Sequence, residues 1–398
     1  MHTSHLRMAV ILGLITAIGP SAIHFYLPAF PAIGRELAVQ SSALQQTMVS
    51  FFIGLAAGQV FYGPLSDRVG RKPPLYVGLA IFLFGSILCA VSPDAEILTL
   101  ARFIQGLGAC AGIAIARAIV RDLHTGPEAA SLMAIVALVS SVSPTIAPLF
   151  GSMLLTVADW RAIFWVIAGM IVILTLLVYF SLPETNPPAQ QSQEPLMKTF
   201  ASYWQVAKMA EFRSLAVSSG LVMSTSFAFL AGAPSVLAAR YGFDSWHISG
   251  LMVACGIAQV GGAQIVPRLM KAVGTNRLIA GGFALMVAAA AGLVASVNQQ
   301  AAPVYPSIFF ALGYMAVGIL LTPLTILLLQ PLKRSSGTAS SLLGIVQLCL
   351  GASVSALVSL INDGTLAPVA LCIIAASLLA SACFARAVQI ARRRPYPL

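Results

Sequence analysis

The chain has little charge. Only 9% of its 398 residues are Asp, Glu, Lys or Arg, and acids are the scarcer sign, twelve against twenty-two bases. Soluble domains carry about 25% charged residues, so this composition cannot clothe an ordinary water-facing surface. Cysteine is sparse as well. The six present (Cys89, Cys110, Cys255, Cys349, Cys372 and Cys383) stand inside apolar runs without a C-x-x-C spacing. That excludes a zinc ribbon or dithiol centre and leaves them as small packing residues. The chain also lacks G-x-x-x-x-G-K-[ST], H-E-x-x-H and G-x-S-x-G, so neither nucleotide hydrolysis nor a metalloprotease or serine hydrolase is indicated. No enzyme, metal or cofactor is expected.

Apolar residues are abundant, at 59% with a mean hydropathy of +0.92. Near-uncharged runs of about 20 residues recur, the length that crosses a hydrocarbon core about 30 Å thick. They lie at 8–30, 43–65, 73–92, 98–120, 129–156, 161–181, 214–239, 246–267, 278–298, 304–330, 339–361 and 365–386. Runs this long and non-alternating are helices, because lipid offers backbone N–H and C=O groups no other partner. A β-barrel would need shorter, alternating segments. The first run follows a short basic start, but it is too long for a signal core and precedes no cleavage site, so it reads as retained. The expectation is an all-α integral membrane protein of twelve spans.

The formal charge of +10 is a matter of placement. With the N-terminus inside, seventeen bases fall on the cytoplasmic side: Arg7, Arg68, Arg71, Lys72, Arg121, Lys198, Lys208, Arg213, Arg268, Lys271, Arg277, Lys333, Arg334, Arg386, Arg392, Arg393 and Arg394. Only Arg35, Arg161 and Arg240 fall outside. This is the positive-inside asymmetry. It puts both termini in the cytoplasm and removes the need for a nucleic-acid partner.

The longest polar interval, PETNPPAQQSQEPLMKTFASYWQVAKMAEFR at 183–213, separates six spans from six. Three parts are expected: a six-helix bundle over 1–182, a cytoplasmic loop over 183–213, and a second bundle over 214–398. From Met197 the loop reads as a short helix on the membrane surface, with Phe200, Tyr203, Trp204 and Val206 inward. The halves echo each other. GQVFYGPLSDRVGRK joins spans 2 and 3, AQIVPRLMKAVGTNR joins spans 8 and 9, and Val69-Gly70 matches Val273-Gly274. Duplicated halves with a site between them are a transporter architecture.

Several stretches carry chemistry. GPLSDRVGRKP, 63–73, sets Arg68, Arg71 and Lys72 around Asp67. Gly63 and Gly70 permit close approach and a turn, and Asp67 and Arg71 are spaced for an ion pair if the loop is helical. Arg102 lies inside an apolar run, where a charge near the bilayer centre costs at least about 2.5–3.5 kcal/mol; snorkelling to the outer end is the plainer alternative. Gln105 stands one turn on. Gly108, Gly112 and Ala116 form a small-residue stripe for close helix packing. Pro144 and Pro148 share a face of span 5, and each removes a backbone donor.

These stretches resemble the major facilitator superfamily. GPLSDRVGRKP is similar to its G-x-L-a-D-r-x-G-r-k signature, RFIQGLGACAGIAIARAIVRDL (102–123) to the fourth span of its drug:proton antiporters, and SPTIAPLFGS (143–152) to their fifth-span motif. YLPAFPAIG, FIGLAAGQVFYGPLSDRVGRKP and ARAIVRDL together resemble the bicyclomycin and chloramphenicol resistance group. The resemblance implies the major facilitator fold and a multi-pass exporter of the bacterial inner membrane, driven by proton influx and acting as a monomer. It assigns Arg102 to proton coupling or substrate anion contact. Gly63, Asp67, Arg68, Gly70, Arg71, Arg117, Arg121 and Asp122 become a gating loop, and Pro144, Pro148 and Gly151 a hinge.

One expected group is missing. All twelve acids fall in loops or at span edges, whereas relatives in this group carry an aspartate in span 1 as D-x-Y-L-P. Here His24-Phe25-Tyr26-Leu27-Pro28 occupies that place. Histidine titrates within the working range, but its protonated form is a cation. His24 and Arg102 fall in the same half of the membrane, as near neighbours, so uncharged or anionic solutes fit better than cations, held by Tyr26 and Gln105. An uncoupled facilitator or an importer of the same fold remains open, as does a receptor or scaffold without a solute path.

Overall fold

A computed structural model describes residues 2–123, 126–191, 196–298 and 304–392. The described residues form helices and no strand. In chain order they are α1 (His2–His24), α2 (Phe30–Glu36), α3 (Ser41–Val69), α4 (Lys72–Ala90), α5 (Ala95–Leu123), α6 (Gly126–Leu154), α7 (Arg161–Ser181), α8 (Leu196–Lys208), α9 (Ala210–Tyr241), α10 (Ser245–Val273), α11 (Thr275–Asn298), α12 (Val304–Leu329), α13 (Ser336–Leu360) and α14 (Ala367–Arg392). Among the described residues eleven stretches are long and apolar enough to cross a membrane, and Thr145–Leu154 of α6 adds a shorter apolar piece. The protein is a multi-pass helical membrane protein.

Local sequence explains the breaks. Span 1 is longer than hydropathy suggests, reaching Glu36, with a 3₁₀ turn at Leu27–Ala29 where Pro28 and Pro31 withhold backbone donors. Glu36 fixes its far end by accepting from Trp160 Nε1 at 2.7 Å and from the Arg161 guanidinium. The matched Val-Gly pairs end α3 and α10 alike: Gly70 has φ +92° and Gly274 φ +82°, backbone that favours glycine.

The chain separates into two compact units, Met1–Leu196 with Asp244–Ser249, and Met197–Phe243 with Gly250–Leu398. In the first, α5 is central and packs on α1, α3 and α4. Its glycines explain how. A Cβ on Gly106 would sit 2.2 Å from the Phe51 carbonyl oxygen of α3, one on Gly108 2.3 Å from the Phe82 nitrogen of α4, and one on Gly112 2.4 Å from the Ile15 carbonyl oxygen of α1. Helices in lipid associate through such close packing, because lipid tails are as apolar as leucine.

In the second unit α9 is almost wholly buried and packs on α12, α13 and α14, while α11 packs on α12 and α14. Phe212, Val222, Phe283, Met286, Leu320, Leu324 and Phe384 belong to its core. A glycine device recurs in both units. In the first, Gly54 faces the Phe103 carbonyl and Gly106 faces that of Phe51; in the second, Gly318 faces the Gln259 carbonyl and Gly262 that of Met315. α8 is amphipathic, with Val206 buried in the second unit's core and Trp204 exposed beside Lys208. Those two residues, two apart on a helix, therefore face different ways. The side chain of Phe200 lies outside the described residues.

Candidate functional site

Two polar clusters of the first unit hold most of the candidate residues. The deeper one surrounds Arg102, which has no exposed surface. Its guanidinium carbon lies 4.2 Å from the centre of the Phe51 ring and 4.5 Å from that of Tyr26. Nη1 donates to Gln105 Oε1 at 2.5 Å and to the Ala22 carbonyl at 3.4 Å, and Nη2 approaches Met48 Sδ at 3.5 Å. Gln105 is held in turn, its Nε2 donating to Ser86 Oγ at 2.9 Å. Tyr26 is fixed through its hydroxyl, 2.7 Å from Thr47 Oγ1; Thr47 donates its own proton to the Leu44 carbonyl, so the tyrosine is the donor. Among the described residues Arg102 Nε has no partner, and no carboxylate takes part.

His24, at the end of α1, is half-buried. Its Nδ1 lies 2.7 Å from the Pro20 carbonyl oxygen, which can only accept, so Nδ1 carries the proton. Nε2 is thereby left as the basic nitrogen. No hydrogen bond joins His24 to Arg102 among the described residues: the arginine reaches span 1 at Ala22 and Tyr26. The sequence pattern placed Tyr26 and Gln105 against solute. Both are fully buried and both face Arg102.

The second cluster lies at the ends of α3, α4 and α5. Arg71, only 7% exposed, donates from Nε and Nη2 to the two carboxylate oxygens of Asp122 at 2.7 and 3.1 Å. Its Nη1 bonds Asp67 Oδ1 at 2.5 Å and Ser66 Oγ at 2.9 Å. Burial alone would lower the arginine's pKa, but the bonds to Asp122 and Asp67 outweigh it and raise it, so the cation is permanent. Of the sequence-derived gating residues, Asp67, Arg71 and Asp122 meet directly. Gly70 makes the turn, and Gly63 accepts from Ser66 Oγ through its carbonyl at 2.9 Å. Arg117 bonds back one turn to the Ile113 carbonyl at 3.0 Å, and Arg68 is half-buried beside the cluster. The side chain of Arg121 lies outside the described residues.

The remaining candidates lie on α6. The Pro148 carbonyl accepts from Ser249 Oγ at 2.7 Å, within the first unit. Gly151 lets α6 approach the Phe25 carbonyl, 2.7 Å from where a Cβ would stand. The side chain of Pro144 is outside the described residues. Sequence reasoning missed Phe51, Met48 and Ser86, because hydropathy reads them as plain span residues. It also missed Glu184, Thr185 and Asn186, which bond the residues around Arg71 and Asp122 from a stretch that reads as linker.

A multi-pass helical chain with this 63–73 loop and buried arginine invites comparison. The family model described as Major Facilitator Superfamily matches residues 10–356. The chain belongs to this superfamily. A major facilitator protein of this kind is a secondary transporter, and the chain is a transporter and not an enzyme. It is 32% identical over 383 residues to the uncharacterized MFS-type transporter YdgK of Bacillus subtilis strain 168, covering 95% of this chain and 94% of that one. Identity to the bicyclomycin resistance protein homolog of Haemophilus influenzae is 26%, over 90% of both chains. The multidrug resistance protein MdtL of Vibrio parahaemolyticus is 29% identical over 84% of this chain and 83% of that one. Among solved structures, a bacterial homologue of the human lysosomal transporter Spinster superposes with a TM-score of 0.73 at 14% identity, over 100% of this chain and 99% of that one. That likeness shows the fold alone.

Proposed function

We propose that this major facilitator protein exports small uncharged or anionic drug-like solutes or metabolites across a bacterial inner membrane, exchanging them for protons by alternating access. The observation that carries the reading is the charge inventory of the first unit's spans. A fully buried guanidinium, Arg102, lies among aromatic rings, and separately, at the end of α1, a half-buried titratable group, His24, has its Nδ1 proton on the Pro20 carbonyl and Nε2 as its basic nitrogen. Among the described residues every acid lies in the first or last turn of a helix or in a connection. A site with this inventory disfavours cationic drugs by repulsion, and the proton has His24 to ride on. The resistance proteins among the relatives support export as the direction.

The basic segments support an inner-membrane protein with both termini in the cytoplasm. The reading takes the monomer in its bilayer as the working unit, with no nucleic-acid partner. The missing embedded carboxylate favours a second reading, a facilitator that moves the same solutes without protons.

Purified protein in liposomes, assayed with labelled chloramphenicol and bicyclomycin, separates the two. The parent should accumulate solute against its gradient when a pH gradient is imposed. His24→Gln, which keeps the size and one hydrogen bond but cannot titrate, should retain counterflow and lose accumulation. His24→Asp should restore accumulation and widen tolerance toward cations. Parental gradient-driven accumulation in His24→Gln would make the histidine structural.

A further inference from the structure

The residues just after α7 read as the start of a linker, yet their side chains bond three helix ends. Glu184 caps the N-terminus of α4. Its Oε1 accepts from the backbone N–H of Arg71 at 2.8 Å and its Oε2 from that of Lys72 at 3.0 Å, while Oε1 also takes the Asn186 N–H at 2.9 Å. The first amides of a helix have no partner within it, and negative charge is favoured there. The residue at the N-cap of α4, Arg71, makes no capping bond with its own side chain. Asn186 Nδ2 donates to the carbonyls of Ser66 at 3.2 Å and Asp67 at 3.1 Å, in the last turn of α3. Thr185 Oγ1 donates at 3.0 Å to Asp122 Oδ2 at the end of α5, the same oxygen that takes Arg71 Nε. Even the glycine of the turn fits this arrangement, since a Cβ on Gly70 would stand 2.8 Å from Glu184 Oε2.

The carboxylate is well suited to that place. Burial pushes the Glu184 pKa up, but the backbone N–H donors of Arg71, Lys72, Asn186 and Thr185 outweigh it and hold the group below its ordinary range. It is therefore an anion at neutral pH. The Arg71 backbone is fixed by Glu184 and its guanidinium by Asp67 and Asp122, so the bidentate fork reaches both acids from one anchored position.

The geometry points to Glu184 as a positioning residue of the 63–73 loop. With Thr185 and Asn186 it clamps the ends of α3, α4 and α5, so the start of the central segment sets whether the Asp67–Arg71–Asp122 cluster is made. The functional meaning of the clamp rests on the reading of 63–73 as a gating loop; its existence does not.

The test uses the purified full-length protein in detergent and limited trypsin digestion. Cleavage after Arg68 and Arg71 reports on the loop, and cleavage after Lys208 and Lys271 serves as the control. Glu184→Ala should speed cutting after Arg68 and Arg71 at least tenfold, leave the control sites at the parental rate, and slow transport of labelled chloramphenicol in liposomes. Asp122→Asn should speed the same cuts, and the double variant should be cut no faster than the quicker single one. Parental cutting in Glu184→Ala, or two effects that multiply independently, overturns the proposal. If Glu184→Ala does not reach the membrane, Glu184→Gln decides: it keeps the size and one acceptor, should give an intermediate rate, and overturns the proposal if cut like the parent. Fast cutting in Glu184→Ala together with parental transport in Asp67→Asn would uphold the clamp and sink the gating reading alone.

Discussion

A guanidinium with no exposed surface and, among the described residues, no carboxylate partner has to be stabilised by other means, and Arg102 shows which. Burying the charge costs at least about 2.5–3.5 kcal/mol. Each ring, Tyr26 on one hand and Phe51 on the other, returns roughly 0.5–2 kcal/mol through its π face. The charged bond to Gln105 contributes about 1.5–3 kcal/mol more. These gains are of the same size as the burial cost with about 1–3 kcal/mol added for the unpartnered Nε, so the site balances without an acid. A planar fork bonded to an amide and packed on two rings is not replaced by an ammonium. Arg102→Lys should lose at least tenfold in transport and Arg102→Ala all net transport, while both variants still reach the membrane. Immunoblotting beside the liposome assay checks both; unchanged transport in Arg102→Ala would reduce the residue to a structural one. The sequence showed the arginine and, one turn on, its glutamine, because residues three apart share a helix face. Phe51 and Met48 stayed hidden, since periodicity within one helix does not tell which neighbour it meets.

At the scale of the element the same limit applies to glycine. The stripe of Gly108, Gly112 and Ala116 reads as one face for one partner, yet Gly106, Gly108 and Gly112 each serve a different helix. Spacing identifies a smooth surface; only the position of α5 amid α1, α3 and α4 assigns its parts. The close crossings should be intolerant of a methyl group. In Gly106→Ala the new Cβ would meet the Phe51 carbonyl at 2.2 Å, so one backbone must move. Overpacking of this kind costs about 1–3 kcal/mol. Gly313 in α12 has nothing within 4 Å of an added Cβ, and there alanine should be neutral or stabilising by up to about 1 kcal/mol through helix propensity. Thermal unfolding of both variants in detergent, followed by tryptophan fluorescence, compares them. Equal melting of Gly106→Ala and the parent would show that α3 and α5 do not need their close approach.

For the whole molecule, the twelve spans were legible because hydropathy sums over some twenty residues and tolerates local irregularity. Two things escaped it. Span 1 runs on to Glu36 through a proline-broken turn, and the start of the central segment is bonded to helix ends although its composition is that of a linker. Orientation is a separate question, and charge placement predicts it through a difference of seventeen bases against three. Retained bases act within about 15–20 residues of a span end, and the segments in question are short except for the central one. Both termini and the 63–73 loop should therefore lie in the cytoplasm. Alkaline phosphatase, active only outside, should work when fused after Asp94, Phe243 or Asp363 and stay silent after Leu123, Lys208 or Arg392. A fluorescent protein that matures only inside should give the opposite pattern. The bias is large enough that deleting any single basic residue should leave the pattern intact. Phosphatase activity at Leu123 or Arg392 would invert the topology, and with it the side from which the Asp67–Arg71–Asp122 cluster acts.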